Sequence, residues 1–269
     1  MINFIKNGDG HPVILVHGIG ASIHAWDDIE PELVRLGYQV ISMDLPGHGL
    51  SFKPQNFNEY NVEYFYAIFE EWIIELGLCE PIIFIGHSIG SYFILRYVLK
   101  HTPEEIKALI LIDPLISLEQ FTPMMKFFYH QKIFSPWVLN CISVFPQTLF
   151  YSALSLTNTY FFIFHGKKFV FPKSILKIMS YDYKRANPAI FLLPFSVTSI
   201  GSQLHNINVP TLILGGSHDQ NLRSEFFGNI ASFIPNSILH VVEGNHNPQH
   251  SNPLEINKLL FDFIGGFTD

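Results

Sequence analysis

Ser88 sits at a glycine-flanked corner, Gly86-His87-Ser88-Ile89-Gly90, between one apolar run at 82–85 and another that begins after Gly90. A hydroxyl attacks a carbonyl at neutral pH only beside a general base, and that base needs a third group to orient it. The two missing types occur downstream in order: Asp219 in "LILGGSHDQNL" and His246 in "HVVEGNHNPQH", each just past an apolar, β-branched run. Serine, acid, histidine is the chain order expected when G-x-S-x-G forms a nucleophile elbow. The chemistry implied is acyl transfer. Ser88 attacks, His246 carries the proton, and Asp219 holds His246. The developing oxyanion needs two N–H donors, read as the backbone amides of Ile89 and of Ile19 in "HGIG" (17–20). A plainer reading makes Ser88 the N-cap of a helix. The strand-like run before it and the apolar-faced helix pattern after it favour the elbow.

These residues need a frame that delivers them to one place. Short apolar runs at 13–16, 39–43, 82–85, 108–112, 211–216 and 238–242 read as strands. Helical patterns lie between or beyond them: "DDIEPELVRLG" stopped by Gly37, 58–77 stopped by Gly77, about 88–101, 222–233 and 253–264. Continuous apolar strands alternating with helices predict an α/β fold, a mostly parallel central sheet with helices on both faces. After Asp113-Pro114 the alternation stops for about 90 residues, which reads as an insertion into a single sheet. Ligand sites in such sheets lie at the carboxyl ends of strands, where every residue singled out above falls.

The ordered set "HGIG", "DLPGHGLS" (44–51), "GHSIG", "GGSHD" and "GNHNPQHSNP" resembles the α/β-hydrolase superfamily, in the branch with a cap inserted after the sixth strand. The resemblance covers residues 1–113 and 206–269 as core and leaves 114–205 as a largely helical cap. It implies a Ser–His–Asp serine hydrolase and does not fix the substrate, because the fold hosts many chemistries.

Other residues compete for these roles. Asp113 also ends a strand before His246 and rivals Asp219 as the acid, although the following Pro114 reads as a structural turn. Asp44, His17 and His48 are assigned to turns that hold neighbouring loops, and His87 is expected to point away from the site. His250 follows His246 by four residues, but Pro248 lies between them and no glutamate follows His246, so a zinc helix is a poor fit. A dinucleotide site at "GIGASI" (18–23) with Asp44 on the ribose fails at Ile23, where Gly or Ala is needed for close helix packing. It also leaves Ser88, Asp219 and His246 idle. No metal and no organic cofactor is expected.

Apolar residues make up 48% of the 269 and charged ones 14%, which places the chain among well-packed globular proteins. A net charge of −7 argues against nucleic acid as a partner. Cys79 and Cys141 are too few for a disulfide framework. The N-terminus lacks the basic head and long apolar region of a signal peptide, and no run of 18 strictly apolar residues occurs, so a cytoplasmic location is the expectation.

The insertion is unusual in composition. From 120 to 181 there is no Asp or Glu but Lys126, Lys132, Lys167, Lys168, Lys173 and Lys177, and 133–165 contains no charged residue. Buried cap helices explain that pattern. That is the favoured reading; a basic, aromatic face that docks on a lipid interface or admits a long acyl chain is the functional alternative, and both can hold at once. The expected substrate is a small-molecule ester with an apolar acyl part. A C–C bond hydrolase, a perhydrolase on a small substrate and a slow-turnover receptor are the alternatives.

Overall fold

The computed structural model describes residues 1–101, 103–130, 141, 144–165 and 171–267. Its centre is a seven-stranded sheet in the order β1-β3-β2-β4-β5-β6-β7. The strands are β1 (Phe4–Asn7), β2 (Pro12–Val16), β3 (Gln39–Met43), β4 (Ile82–His87), β5 (Ile106–Ile112), β6 (Thr211–Gly216) and β7 (Ser237–Val242). Only β1 runs antiparallel, with Phe4 opposite Met43, and every other pairing is parallel. The sheet is thus the mostly parallel one expected. β1 itself gives no signal in the sequence: FIKN is short and mostly exposed, and pairing with β3 decides its conformation.

Alternation along the strands sends side chains to two separate cores. Val13, Leu15, Ile83, Ile85, Ile110 and Leu212 pack with Trp26, Leu33, Ile256 and Leu260 on one face. Ile14, Val16, Phe84, Leu109, Leu111 and Ile213 pack on the other, against the helices α2 (Val62–Glu75) and α3 (Ile89–Lys100) through Phe65, Phe69 and Phe93. Asn61 caps α2 by accepting the Tyr64 N–H at 2.9 Å, which shortens the helix read at 58–77. Gly77 follows it with φ +58°, in the left-handed region that ends helices.

The insertion leaves after the fifth of the seven described strands and returns at β6. Its described part is helical: Pro123–His130, Gln147–His165 and Lys173–Arg185, then 3₁₀ segments at Pro188–Ser196 and Gly201–Asn206. Ala189, Ile190, Leu193, Val197 and Ile200 from these last segments join the core beside α2 and α3. Most of the apolar stretch at 136–145, together with Lys132, Lys167 and Lys168, lies outside the described residues. Among the described residues no helix is long and apolar enough to cross a membrane.

Candidate active site

Ser88 occupies φ +54°, ψ −117°, a backbone state that costs a non-glycine residue on the order of 1–3 kcal/mol. The strain follows from crossing directly from β4 into α3. Its own amide still bonds the Ile112 carbonyl at 2.9 Å, so the sheet grips it to the last residue. The flanking glycines are steric necessities. A Cβ on Gly90 would lie 2.2 Å from the Val16 carbonyl oxygen, and one on Gly86 would lie 2.5 Å from Ile94 Cδ1. Although Ser88 stands at the N-cap position of α3, its side chain makes no capping bond. The hydroxyl faces His246 instead, with Oγ 3.1 Å from Nε2.

His246 lies beyond β7, and its Nδ1 is 2.7 Å from Asp219 Oδ2. With Nδ1 protonated toward that carboxylate, Nε2 is left as the acceptor of the Ser88 proton. Asp219, on the loop after β6, is fixed by the Asn221 and Leu222 amides, which donate to its Oδ1 at 2.7 and 2.9 Å. The three residues named from their order in the chain thus form one continuous hydrogen-bond chain.

Asp113 lies beside this chain without joining it. It is fully buried with φ +42°, and its Oδ1 accepts the Gly216 amide at 2.8 Å while Oδ2 has no partner. Burial first, and the neighbouring Asp219 charge second, push its carboxyl well above the usual range. Ligand atoms of His87, Asp113 and His246 come within 4.8 Å of one another. Both nitrogens of His246 are already engaged with Asp219 and Ser88, so a metal there would have to dismantle that chain.

The loop at 17–20 is braced from below. His17 donates from Nδ1 to the Gly18 carbonyl at 2.7 Å and accepts the Leu45 amide on Nε2 at 3.0 Å. His48 lies edge-on to it, with ring centroids 5.0 Å apart. Asp44 accepts from Asn3, Ile23 and Leu50, tying three segments together. Ile19 lines the cavity beside Ser88, and neither its amide nor that of Ile89 donates to any acceptor among the described residues. Both N–H groups are therefore unspent on either side of Ser88 in this part of the structure.

His87 departs from its expected orientation. It lines the cavity, and its Nε2 donates to the His246 carbonyl oxygen at 2.8 Å. The cavity, about 240 Å³, is roofed by Ile175, Ile178 and Met179 of the cap and walled by Phe121 and Phe191. It also contains Asp182, missed in the sequence although it is the first carboxylate after Glu119 and ends the acid-free stretch.

The model of the alpha/beta hydrolase fold family matches residues 11–253. The human protein ABHD8 is 26% identical over 264 residues, covering 94% of this chain and 54% of that protein. The chain thus spans about half the length of that relative. A non-heme haloperoxidase from Rhodococcus erythropolis is 26% identical over 262 residues, covering 96% of this chain and 93% of its own. Among solved structures, a thermophilic esterase from Thermogutta terrifontis superposes with a TM-score of 0.76 at 20% identity, covering 98% of this chain and 93% of that one.

Proposed function

The chain belongs to the alpha/beta hydrolase fold family, and from that premise we propose that it is a serine hydrolase acting on a carboxylic ester. Ser88 Oγ attacks the carbonyl carbon as its proton passes to His246 Nε2, and the Ile19 and Ile89 amides hold the oxyanion. Collapse expels the alcohol, which takes the proton from His246 and leaves an acyl-Ser88. Water, deprotonated by His246, then releases the acid and restores the serine. Asp219 keeps Nδ1 protonated and stabilises the imidazolium. The observation that carries this reading is the continuous Ser88–His246–Asp219 hydrogen-bond chain, with contacts of 3.1 and 2.7 Å.

The test is labelling by a fluorophosphonate, which needs no knowledge of the natural substrate. Modification at Ser88, absent in Ser88→Ala, is the expected outcome, with a fall of about 10⁶ in kcat on p-nitrophenyl butyrate. Unchanged turnover by Ser88→Ala refutes the assignment. Similarity to a haloperoxidase favours one variation, in which hydrogen peroxide rather than water resolves the same acyl-enzyme to a peracid. Added peroxide would then compete with hydrolysis.

A peripheral contact with anionic lipid is a second element of the proposal. Gln147–His165 contains no charged side chain and exposes Leu149, Leu156 and Ile163, the last two at 73% and 66%. Lys173 and Lys177 lie on the helix packed against it and Lys126 on the first cap helix, with no acid between 120 and 181. Exposed apolar side chains together with cap lysines match an anionic headgroup layer. Co-sedimentation with phosphatidylserine vesicles at low salt, weakened at high salt and by Leu156→Glu, is expected. No binding at low salt refutes it.

A further inference from the structure

The cap side of the cavity beside Ser88 is lined mostly by apolar side chains, and Asp182 is its one carboxylate among the described residues. This residue lies near the end of the helix Lys173–Arg185 and is only 3% exposed. Its Oδ1 accepts the Ser22 hydroxyl at 2.7 Å, while Oδ2 has no hydrogen-bond partner and no cation pairs with it among the described residues. Burying a carboxyl with a spare acceptor is costly unless something satisfies it. Desolvation accordingly pushes its pKa up to about 7.

A cap-to-core latch accounts for only half of the group. The Ser22 bond uses one oxygen, and Tyr183 already fixes the same segment, because its ring fills the space where a Gly20 side chain would project. The Asp182–Tyr183 pair therefore rests on the loop that carries the Ile19 amide, and the carboxyl is held still beside the reacting centre. Among the other residues lining this cavity, His87 Nδ1 and His250 Nδ1 are buried without a partner. Polar atoms left without partners on one cavity, the unused Asp182 Oδ2 among them, point to a ligand group that satisfies them.

We propose that Asp182 binds a hydrogen-bond donor on the substrate, a hydroxyl or a protonated amine, so that the preferred ester is functionalised rather than a plain alkyl ester. This rests on the serine hydrolase reading and adds the substrate class to it. Asp182 is a specificity residue here; it has no part in proton transfer at Ser88. A site built around a donor discriminates strongly against analogues that lack it, because its polar group is then left unpaired.

The experiment compares kcat/KM at pH 8.5 for p-nitrophenyl hexanoate, 3-hydroxyhexanoate, 6-hydroxyhexanoate and 6-aminohexanoate in the wild type, Asp182→Leu and Asp182→Asn. At least one donor-bearing ester should gain on hexanoate in the wild type, and Asp182→Leu should lower that ratio about tenfold or more. Asp182→Asn keeps an acceptor, so it should preserve a hydroxyl preference and lose an amine preference. Ratios equal within about twofold across all three proteins, in the esters that fit, overturn the proposal. If Asp182→Leu fails to fold, the near-isosteric Asn variant decides through the amine arm, and equal wild-type rates for all four esters are themselves a refutation. Fluorophosphonate labelling of Ser88 runs in parallel. Labelling with flat ratios removes the Asp182 inference alone, whereas no labelling of the wild type removes the hydrolase reading beneath it.

Discussion

His87 donates its Nε2 hydrogen to the carbonyl oxygen of His246 at 2.8 Å, and the two rings lie 5.1 Å apart. The residue before Ser88 thereby holds the backbone of His246, so that β4 positions both ends of the Ser88–His246 bond. His87 stays neutral, because burial and then the adjacent His246 hold its pKa well below the ordinary histidine value. As a positioning residue it should act on kcat. His87→Ala is expected to lower kcat roughly 10- to 100-fold with little change in KM, the effect of a small displacement of a catalytic group. Steady-state kinetics on one ester checks this, and an equal loss in KM would show a binding role instead.

The two buried aspartates should behave oppositely. Asp219 orients His246, so Asp219→Asn should cost on the order of 10⁴ in kcat with the fold intact. Asp113 makes a single hydrogen bond through Oδ1, and its environment favours the protonated form, so an amide is a close replacement. Asp113→Asn should retain activity within about tenfold and melt no lower than the wild type. Parallel kcat and thermal melts of both variants decide which carboxylate is the acid.

Stability should fall sharply at the elbow. Gly90→Ala places a methyl 2.2 Å from the Val16 carbonyl oxygen and 2.7 Å from that of His17, where backbone on both sides prevents relief. A loss of roughly 3 kcal/mol or more in a urea titration is expected, with labelling of Ser88 abolished. Gly228→Ala, where an added Cβ meets nothing within 4 Å, is the control and should be neutral or better.

The pH dependence of stability should report Asp182. Its folded pKa of about 7 lies above the ordinary value of 3.8, so the folded chain holds a proton that the unfolded chain releases. The contribution to stability is therefore complete below about pH 4 and is lost as pH rises toward 7. Asp182→Asn removes it. Relative to the wild type, the variant should gain in Tm between pH 5 and pH 8, read by differential scanning at matched ionic strength, and a constant difference would contradict the assigned shift.

The sequence by itself determined the parts that depend on local pattern. Apolar runs marked six of the seven strands, five of them because their side chains are buried on both faces of the sheet and the edge strand β7 by its β-branched run alone, and Gly86 and Gly90 marked the elbow because no larger residue fits that corner. Asp219 and His246 were legible because each directly follows a strand, where the parallel sheet delivers its loops to one edge. Tertiary structure decided what depends on residues far apart in the chain. β1 exists only through its pairing with β3, and the choice between Asp219 and Asp113 rests on which carboxylate reaches Nδ1 of a histidine on another loop. His87 gained its partner 159 positions away, and Asp182 met Ser22 across 160. No local periodicity encodes such meetings, because the cap's apolar packing and the sheet's register set them only once the whole chain has folded.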